Sequence, residues 1–299
     1  MTAGPENGLV LVSYGSHGVV ETANGERIDC TYRRSVGRPV CGDRVGILIN
    51  DSEGGVVSEL QPRSNEFMRA NAKMQKQVIA ANLDQVLIVV APRPEPSRDL
   101  VERYLVAVHS LGIDPVIVLN KADLLTEEGI DVNSPLSRLE EYRALGYPVF
   151  ETSCTEQPGV ASIETVLENR TSILVGQSGV GKSSMVNALL PDLELQTGAL
   201  SRVTGKGTHT TTTTIMYRLP CGGRLIDSPG VWEYGLWQMD QRELSAGFID
   251  FQALDGNCRF NDCSHRTEPG CSVREAAESG SLRDWRYRSY LRLLEQNAR

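Results

Sequence analysis

The sequence predicts three structural parts: a small all-β barrel, a doubly wound α/β domain and a short helical segment that binds a metal. Three observations support this prediction. Short β-rich runs without helical spacing fill residues 8–61, apolar strands alternate with amphipathic helices from about residue 69, and three cysteines crowd near one histidine within residues 258–271. We expect the three domains to span residues 1–68, 69–237 and 238–299.

Composition excludes some classes of protein. With 299 residues, 40% apolar and 23% charged, the chain is long enough for two or three water-soluble domains. Residues 1–14 lack a basic stretch followed by a long apolar run, and no stretch approaches eighteen apolar residues. We therefore expect no export signal, no membrane span and a cytoplasmic location.

The formal net charge of −8 disfavours nucleic acid as a default partner, but arginines cluster locally. Five of them lie between Arg27 and Arg44, and four more between Arg283 and Arg292. These two basic stripes are compatible either with RNA contacts or with an ordinary solvated surface.

The N-terminal part has the pattern of a barrel. Its strand-like runs are GLVLVSY, HGVVET, ERIDCTYR, DRVGILI and VVSELQ, and Asn24-Gly25 between two of them is a hairpin signal. About five short strands favour a closed barrel of the oligonucleotide-binding (OB) type. Such a barrel would bind RNA through a basic face, although a purely structural spacer remains an alternative.

The middle part has the alternation of a doubly wound α/β sheet. The predicted strands cover Gln85–Ala91, Pro115–Leu119, Pro148–Thr152, Ser172–Val175 and Arg224–Ile226, and the predicted helices cover Arg98–Leu111, Leu136–Leu145 and a segment ending near Leu190. In such sheets ligands bind at the carboxyl ends of the strands. The motifs described next all follow predicted strands.

A phosphate loop follows the strand that ends at Val175. It reads Gly176-Gln177-Ser178-Gly179-Val180-Gly181-Lys182-Ser183, with Ser184 next in the helix. The glycines allow backbone N–H groups to surround phosphate oxygens. Lys182 is expected to reach the β- and γ-phosphates, and Ser183 to offer its hydroxyl to Mg²⁺.

A guanine-reading sequence, Asn120-Lys121-Ala122-Asp123, follows the strand that ends at Leu119. The Asp123 carboxylate can accept hydrogen bonds from N1–H and the exocyclic amine of guanine, whereas adenine has no donor at either place. We expect Lys121 to lie along the base and Asn120 to brace the loop. Ser153 and Cys154 follow the next strand, where a backbone N–H is expected to contact guanine O6.

The expected γ-phosphate sensors lie near Asp227-Ser228-Pro229-Gly230. Asp227 would hold Mg²⁺ through water, and the N–H of Gly230 would contact the γ-phosphate. Upstream, the Thr-rich loop Gly205–Thr214 has the composition of a switch segment, and Thr212 is the predicted Mg²⁺ ligand. A solvated linker is the alternative interpretation of this loop.

The residue that orients the attacking water is missing from its usual place. Many GTPases have a glutamine immediately after this Asp-x-x-Gly sequence, and here the position is Val231. Either His209 in the Thr-rich loop or a group from a partner could orient the water. We expect slow intrinsic hydrolysis that a partner accelerates.

The order of the motifs predicts a circular permutation. The guanine-reading sequence ends at Asp123 and precedes the phosphate loop at Gly176, whereas ordinary GTPases have the opposite order. The middle domain is therefore predicted to be a P-loop GTPase core, circularly permuted, in which the segment after the γ-phosphate sensor leads directly into another domain.

The C-terminal segment contains a candidate metal site made of Cys258, Cys263, His265 and Cys271. Three thiolates and one imidazole form a closed tetrahedral donor set for one structural Zn²⁺ ion. Two short helices are expected between Val273 and Gln296, so the third domain is predicted to be an α-helical zinc-binding domain.

Together these motifs resemble those of the circularly permuted, small-ribosomal-subunit-dependent GTPases of the RsgA (YjeQ/YloQ) family, over nearly the whole chain. The resemblance implies binding to the maturing small (30S) ribosomal subunit and its rRNA, stimulation of GTP hydrolysis by that subunit, and a role in late assembly. The switch-loop histidine of the family matches His209, and its hydrophobic residue matches Val231. Trp232 departs from the family, in which arginine is frequent.

Two other functions remain open at this point. One is a nucleotide-dependent rRNA-binding switch or chaperone in which hydrolysis is incidental, and the other is a permuted GTPase that acts on the large subunit. In each case GTP and GDP are the expected ligands, and we expect a monomer.

Overall fold

The computed structural model describes residues 5–50, 54–70, 76–125, 131, 134–193, 196, 213–228 and 239–297. Within these residues the strands form one eleven-stranded sheet and a separate two-stranded sheet. From one edge of the large sheet to the other, the strands begin at Val149, Asp114, Gln85, Thr171, Arg224, Ile215, Glu6, His17, Arg27, Gly54 and Arg44. None of the described helices has the length and apolar character needed to cross a membrane.

Five strands form the predicted N-terminal barrel. They are β1 (Glu6–Ser13), β2 (His17–Thr22), β3 (Arg27–Tyr32), β4 (Arg44–Asn50) and β5 (Gly54–Leu60). Antiparallel pairing joins β1 to β2, β2 to β3 and β4 to β5, a parallel pair joins β3 to β5, and β1 closes the barrel against β4. Alternate apolar side chains fill the interior, because successive residues of a strand point to opposite faces.

A hairpin that the sequence analysis did not predict follows the barrel. Its strands are β6 (Glu66–Ala70) and β7 (Lys76–Ala81), and the expected domain boundary at residue 68 falls inside β6. The pairing register shifts between Phe67 and Met68, which breaks the two-residue periodicity that reveals a strand in sequence. Phe67 is fully buried, and a backbone bridge from Cys41 to Ala80 connects the hairpin to the barrel.

The α/β core contains the predicted parallel strands. They are β8 (Gln85–Val90), β9 (Asp114–Leu119), β10 (Val149–Glu151), β11 (Thr171–Val175) and β13 (Arg224–Asp227), and β12 (Ile215–Arg218) is antiparallel to β13. The helices are α1 (Leu100–His109), α2 (Leu139–Ala144), α3 (Ala161–Leu167) and α4 (Lys182–Leu189). Two buried apolar clusters cover the two faces of the sheet, as expected for a doubly wound fold.

The barrel and the core share the large sheet. Strand β1 of the barrel pairs with β12 of the core in antiparallel fashion, with Val12 opposite Ile215. The chain between β11 and β12 includes the predicted switch loop, so the strand that follows this loop lies directly against the barrel.

The C-terminal segment is helical. Its described helices are α5 (Gln241–Ala246), α6 (Gln252–Asp255), α7 (Ser272–Ser279) and α8 (Asp284–Asn297), of which α7 and α8 match the two predicted helices. Helix α5 begins with a capping box between Asp240 and Glu243. The aromatic side chains of Phe248, Phe251 and Tyr290 pack together in a small core.

Candidate nucleotide site and metal centre

The phosphate loop connects β11 to α4 at the carboxyl end of the central strand. Gly176 has φ 143°, and a Cβ there would lie 2.2 Å from the carbonyl oxygen of Val89. Gly181 has φ 96°, and a Cβ there would lie 2.3 Å from Asn120 Nδ2. Both glycines are required because the loop is in close contact with the neighbouring strand ends, which no larger residue permits.

Lys182 lies at the start of α4 and folds back into the loop. Its Nζ donates hydrogen bonds to the carbonyl oxygens of Gly176 (2.6 Å) and Gln177 (2.8 Å). Burial lowers the pKa of Lys182 and raises that of Asp227, and the attraction between the two opposite charges opposes both shifts. The ammonium group and the Asp227 carboxylate thus belong to one electrostatic site. Ser183 and Ser184 are exposed on the first turn of α4.

Asn120 connects the guanine-reading sequence to the phosphate loop. Its side chain is buried, and Nδ2 donates to the carbonyl oxygen of Val180 at 2.9 Å. Its Oδ1 accepts a hydrogen bond from Thr152 Oγ1 at 3.2 Å, and the Cys154 thiol lies 3.6 Å away. The predicted bracing role of Asn120 agrees with these contacts, whereas the contribution of Thr152 gave no signal in the sequence.

Lys121 makes a second connection between the same two loops. Its backbone is left-handed, with φ 57°, which turns the chain sharply after β9. Its Nζ donates to the carbonyl oxygens of Gly179 (2.7 Å) and Arg93 (2.8 Å). Asn120 and Lys121 of the guanine-reading sequence therefore bind the backbone carbonyls of Val180 and Gly179 in the phosphate loop. Arg93 is a participant that the sequence analysis missed.

Asp123 has an unused acceptor. It lies in the 3-10 turn Ala122–Leu124, which is anchored by a hydrogen bond from the N–H of Ala122 to the carbonyl oxygen of Thr152. The Asp123 Oδ1 atom is buried and has no hydrogen-bond partner among the described residues. Because a buried acceptor without a partner costs about 1–3 kcal/mol, this atom indicates a ligand that donates a hydrogen bond.

Of the other predicted site residues, some lie within the described residues and some do not. Ser153 is buried and its N–H donates to the carbonyl oxygen of Gly159, so this N–H is not free for a ligand. Ser228 forms a hydroxyl–hydroxyl hydrogen bond with Thr214 at 2.8 Å beside Asp227. The predicted site residues His209, Thr212 and Gly230, together with Val231 and Trp232, lie outside the described residues.

The four predicted metal ligands converge in the C-terminal segment. The ligand atoms of Cys258, Cys263, His265 and Cys271 all lie within 4.8 Å of one another. His265 Nδ1 is 3.6 Å from Cys258 Sγ and 3.5 Å from Cys271 Sγ. A tetrahedral Zn²⁺ site with ordinary bond lengths requires sulfur–nitrogen separations of about 3.6 Å. The donor set and its spacing therefore suit one closed structural metal site.

Neighbouring groups hold these ligands in place. Ser272 Oγ lies 3.1 Å from Cys258 Sγ, and Tyr287 Oη donates to the carbonyl oxygen of His265 at 2.7 Å. The Glu268 carboxylate accepts hydrogen bonds from three backbone N–H groups of the ligand loop, those of Ser264, Arg266 and Thr267. Burial opposes ionisation, but the Ser264 hydroxyl and the backbone N–H groups of Ser264, Glu268 and Thr267 together lower the pKa of Glu268 to about 2.

The comparisons with known proteins agree with this geometry. Residues 60–237 match the family model described as RsgA GTPase. The chain belongs to the RsgA GTPase family. Its enzymatic class is therefore that of a GTP hydrolase, and the family resemblance noted from the sequence is confirmed.

Individual members of the family resemble the chain over nearly its full length. The small ribosomal subunit biogenesis GTPase RsgA of Chromohalobacter salexigens is 45% identical over 297 residues, which cover 98% of this chain and 86% of that protein. The protein of the same name from Pseudomonas fluorescens is 44% identical over 296 residues, with 97% and 86% covered.

Two solved structures of the family share the architecture. The crystal structure of YjeQ from Thermotoga maritima matches with a TM-score of 0.79 and 29% identity, covering 98% of each chain. YloQ, described as a circularly permuted GTPase, matches with a TM-score of 0.76 and 26% identity over 99% of this chain and 96% of that one. This chain thus combines a GTPase core of the permuted YjeQ/YloQ type with a five-stranded N-terminal barrel and a C-terminal cysteine–histidine cluster.

Proposed function

We propose that this protein hydrolyses GTP when it is bound to the small ribosomal subunit and that it acts in the late maturation of that subunit. Its relatives are small ribosomal subunit biogenesis GTPases, which supports the choice of partner. The observation that best supports the chemistry is the pair of contacts from Asn120 to Val180 and from Lys121 to Gly179, which join a base-reading loop to a phosphate loop.

Guanine would be recognised by the Asn120–Asp123 loop. The unsatisfied Asp123 Oδ1 atom would accept a hydrogen bond from the base, and the second carboxylate oxygen would accept another. The aliphatic stem of Lys121 would lie along the base plane while its ammonium group stays on the carbonyl oxygens of Gly179 and Arg93. Of the two residues predicted to offer an N–H to guanine O6, Cys154 is the better candidate, because Ser153 N–H is already bonded.

The triphosphate would lie across the loop of residues 176–184. Its oxygens would take the place of the Gly176 and Gln177 carbonyls as partners of the Lys182 ammonium group. Partial burial makes this charge more effective, since the local dielectric constant is lower than that of water. Backbone N–H groups at the start of α4 and the helix dipole add further positive potential.

Mg²⁺ bound with the nucleotide would neutralise negative charge that develops on the phosphates. The residues proposed to hold it are Ser183 directly, Asp227 through water and Thr212 from the Thr-rich loop. Asp227 suits this role because its carboxylate ends β13 and interacts with Lys182. The proposed catalytic set consists of Lys182, Asp227, Gly230, Thr212 and His209.

This proposed catalytic set lacks an established group to orient the attacking water. Val231 has no polar group for this task, so His209 or a group of the ribosomal subunit would orient the water. We therefore infer that the free protein turns GTP over slowly and that the small subunit accelerates it. Release of phosphate would then favour dissociation of the protein from the subunit, a coupling between two sites.

The C-terminal cluster would hold one Zn²⁺ ion through Cys258, Cys263, His265 and Cys271. Bound Zn²⁺ would supply folding free energy and no reaction chemistry, because four protein ligands leave no open position. We propose that this segment and the OB-type barrel contact rRNA phosphates on either side of the GTPase core, as a cytoplasmic monomer. Residues 1–68, 69–237 and 238–299 remain our proposed domain limits.

The test is steady-state GTP turnover with and without purified small ribosomal subunits. We expect small subunits to raise kcat at least tenfold and purified large subunits to leave it unchanged. Equal turnover in all three conditions contradicts the proposal. A Lys182→Ala variant, which lacks the phosphate-binding ammonium group, should abolish the stimulated rate and thus serves as the control for contaminating GTPases.

A further inference from the structure

A cleft lies at the junction of the barrel with the hairpin formed by β12 and β13. It has a volume of about 460 Å³. On the barrel side it is lined by residues of β1, β2, β4 and the loop after β2, and on the core side by Arg218 of β12 and Arg224 of β13. We call it the junction cleft. It is separate from the nucleotide site, which lies at the carboxyl ends of the core strands.

The charge of the junction cleft is mostly positive. Arg44 and Arg218 are exposed, and neither makes an ion pair within the described residues. Arg224 Nη1 lies 2.8 Å from Glu21 Oε1 as an ion pair, although the angle between them does not allow a hydrogen bond. Arg27 Nε lies 4.0 Å from Oε2 of the same carboxylate. Glu21 is the single acidic residue among those that line the cleft, so three lining arginines face one carboxylate.

The remaining lining residues are small or carry neutral amides. Asn7, Asn24 and Gln61 supply N–H donors and carbonyl acceptors, and Gln61 Nε2 donates to Asn7 Oδ1 at 3.0 Å. Gly25 also lines the cleft and has open space at its Cβ position, which leaves the backbone there open to close approach. Guanidinium groups beside neutral amides are typical of surfaces that bind a phosphodiester backbone.

We propose that the junction cleft binds the phosphodiester backbone of RNA, so that one RNA segment contacts the barrel and the β12–β13 hairpin together. This proposal rests on the proposed function, which supplies an RNA-rich partner. The uncompensated arginines on both sides of the cleft favour a polyanion with regularly spaced charges over a protein surface, which would mix charges with apolar contacts.

The position of the junction cleft gives this binding a consequence for the enzyme. Strand β12 begins at Ile215, directly after the predicted switch loop, and β13 ends at Asp227. RNA held by Arg44, Arg218 and Arg224 would therefore favour the arrangement of the hairpin in which β12 pairs with β1. The nucleotide site would sense RNA through β12 and β13, the two strands that connect the switch loop to Asp227.

The test compares single arginine variants in their binding to purified small subunits at several KCl concentrations. Arg218→Gln and Arg44→Gln should each weaken binding about 3–10-fold and reduce the slope of log affinity against log salt by about one. Arg218→Lys should recover most of the affinity because it retains the charge. Basal GTP turnover should stay unchanged in all three variants.

The matched control is Arg143→Gln, which removes an arginine that pairs with Glu140 and Glu151 beside β10, at the edge of the core sheet opposite β12. It should bind with the wild-type salt slope. An unchanged slope in Arg218→Gln, or an equal loss in Arg143→Gln, overturns the cleft proposal while leaving the proposed function intact if wild type still binds and is stimulated. Repeating the titration with small-subunit rRNA free of ribosomal proteins identifies the occupant. If the defect of Arg218→Gln disappears there, the occupant is a protein and the proposal is wrong.

Discussion

The α/β core and the C-terminal segment are stabilised in different ways. In the core, all six residues of β8 are buried, and apolar clusters cover both faces of the sheet. The C-terminal segment has a smaller aromatic core, a candidate metal site and an ion pair from Arg292 to Asp99, just before α1. Apolar burial is the main stabilising contribution in the core, whereas the C-terminal segment relies more on a candidate metal site and on ion pairs.

The contacts between these two regions combine apolar packing with hydrogen bonds. Val106 of α1 belongs to the C-terminal apolar cluster, and Trp285 packs edge-on against Tyr142 while its Nε1 donates a hydrogen bond to the Glu141 carboxylate. Asp99 just before α1 accepts hydrogen bonds from Arg292 Nη2 at 2.6 Å and Ser289 Oγ at 2.9 Å. Hydrogen bonds and an ion pair to Asp99 thus supplement the apolar contacts between the core and the C-terminal segment.

The largest expected effect is the loss of structure in the C-terminal segment when a metal ligand is removed. Cys271→Ser deletes one ligand, and the loss of a site that contributes on the order of 10 kcal/mol should unfold the C-terminal segment. Residues 239–297 should become sensitive to protease, while the core retains its strands and its GTP affinity. The measurements are zinc content, limited proteolysis with mass spectrometry and GTP titration.

The control for this variant is Cys221→Ser, which changes a half-buried cysteine distant from the metal ligands in sequence. It should leave zinc content and proteolysis unchanged. If Cys271→Ser also abolishes GTP binding, the core depends on the C-terminal segment and the contrast between the two regions is wrong.

The reverse experiment alters the nucleotide site alone. Asp123→Asn should lower GTP affinity on the order of 10³-fold, because the amide presents a donor where guanine also presents donors. XTP should bind the variant better than GTP does, since the 2-carbonyl oxygen of xanthine can accept that hydrogen bond. Titration with both nucleotides measures this, and zinc content should not change. Asp192→Asn, an exposed carboxylate of the same domain, should behave as wild type.

A smaller effect is expected from Gly181→Ala. The new Cβ would meet Asn120 Nδ2 at 2.3 Å at a residue with φ 96°, so both the contact and the backbone would be strained. We expect a 10–100-fold loss of GTP affinity in equilibrium titrations. Gly179→Ala isolates the backbone strain in the same loop, because Gly179 has φ 82° and a Cβ there would lie at an ordinary contact distance of 3.5 Å from Pro94. Equal loss of GTP affinity in both variants would show that crowding at Asn120 is irrelevant.

The smallest effect concerns pH. Burial raises the pKa of Glu102, although Arg286 and the Tyr142 hydroxyl oppose the shift. Because its pKa is raised in the folded protein, Glu102 holds its proton to a higher pH there than in the unfolded chain. The free energy of unfolding therefore falls as pH rises above the ordinary pKa of glutamate. Glu102→Gln removes this cost.

Urea unfolding at pH 5 and pH 8 measures the prediction. The stability of Glu102→Gln relative to wild type should increase on the order of 1 kcal/mol between these two pH values. Glu140→Gln, at a position with a largely exposed carboxylate, should show no such change. A constant difference between Glu102→Gln and wild type at both pH values would show that Glu102 does not ionise in this range.

Much of this structure could be predicted because its signals are local. The glycines of the phosphate loop, the Asn120–Asp123 motif and the cysteine spacing each report a short-range constraint. The roles of Thr152 and Arg93 could not be predicted, because no sequence motif marks the Thr152 hydroxyl or the Arg93 backbone carbonyl as a partner of the guanine-reading sequence. The β6–β7 hairpin was not predicted because its register shift interrupts the alternation of buried and exposed residues. The buried pairing of Arg286 with Asp250 was not predicted because the two residues lie 36 positions apart in the sequence.

The pairing of β1 with β12 has a consequence for how the chain can be divided. Without the barrel, β12 would end the core sheet with unpaired N–H and C=O groups, and open edges of this kind recruit strands from other molecules. A fragment that starts at residue 60, where the family model begins, would therefore be prone to self-association. The barrel thus shields the core from polymerisation as well as extending its sheet.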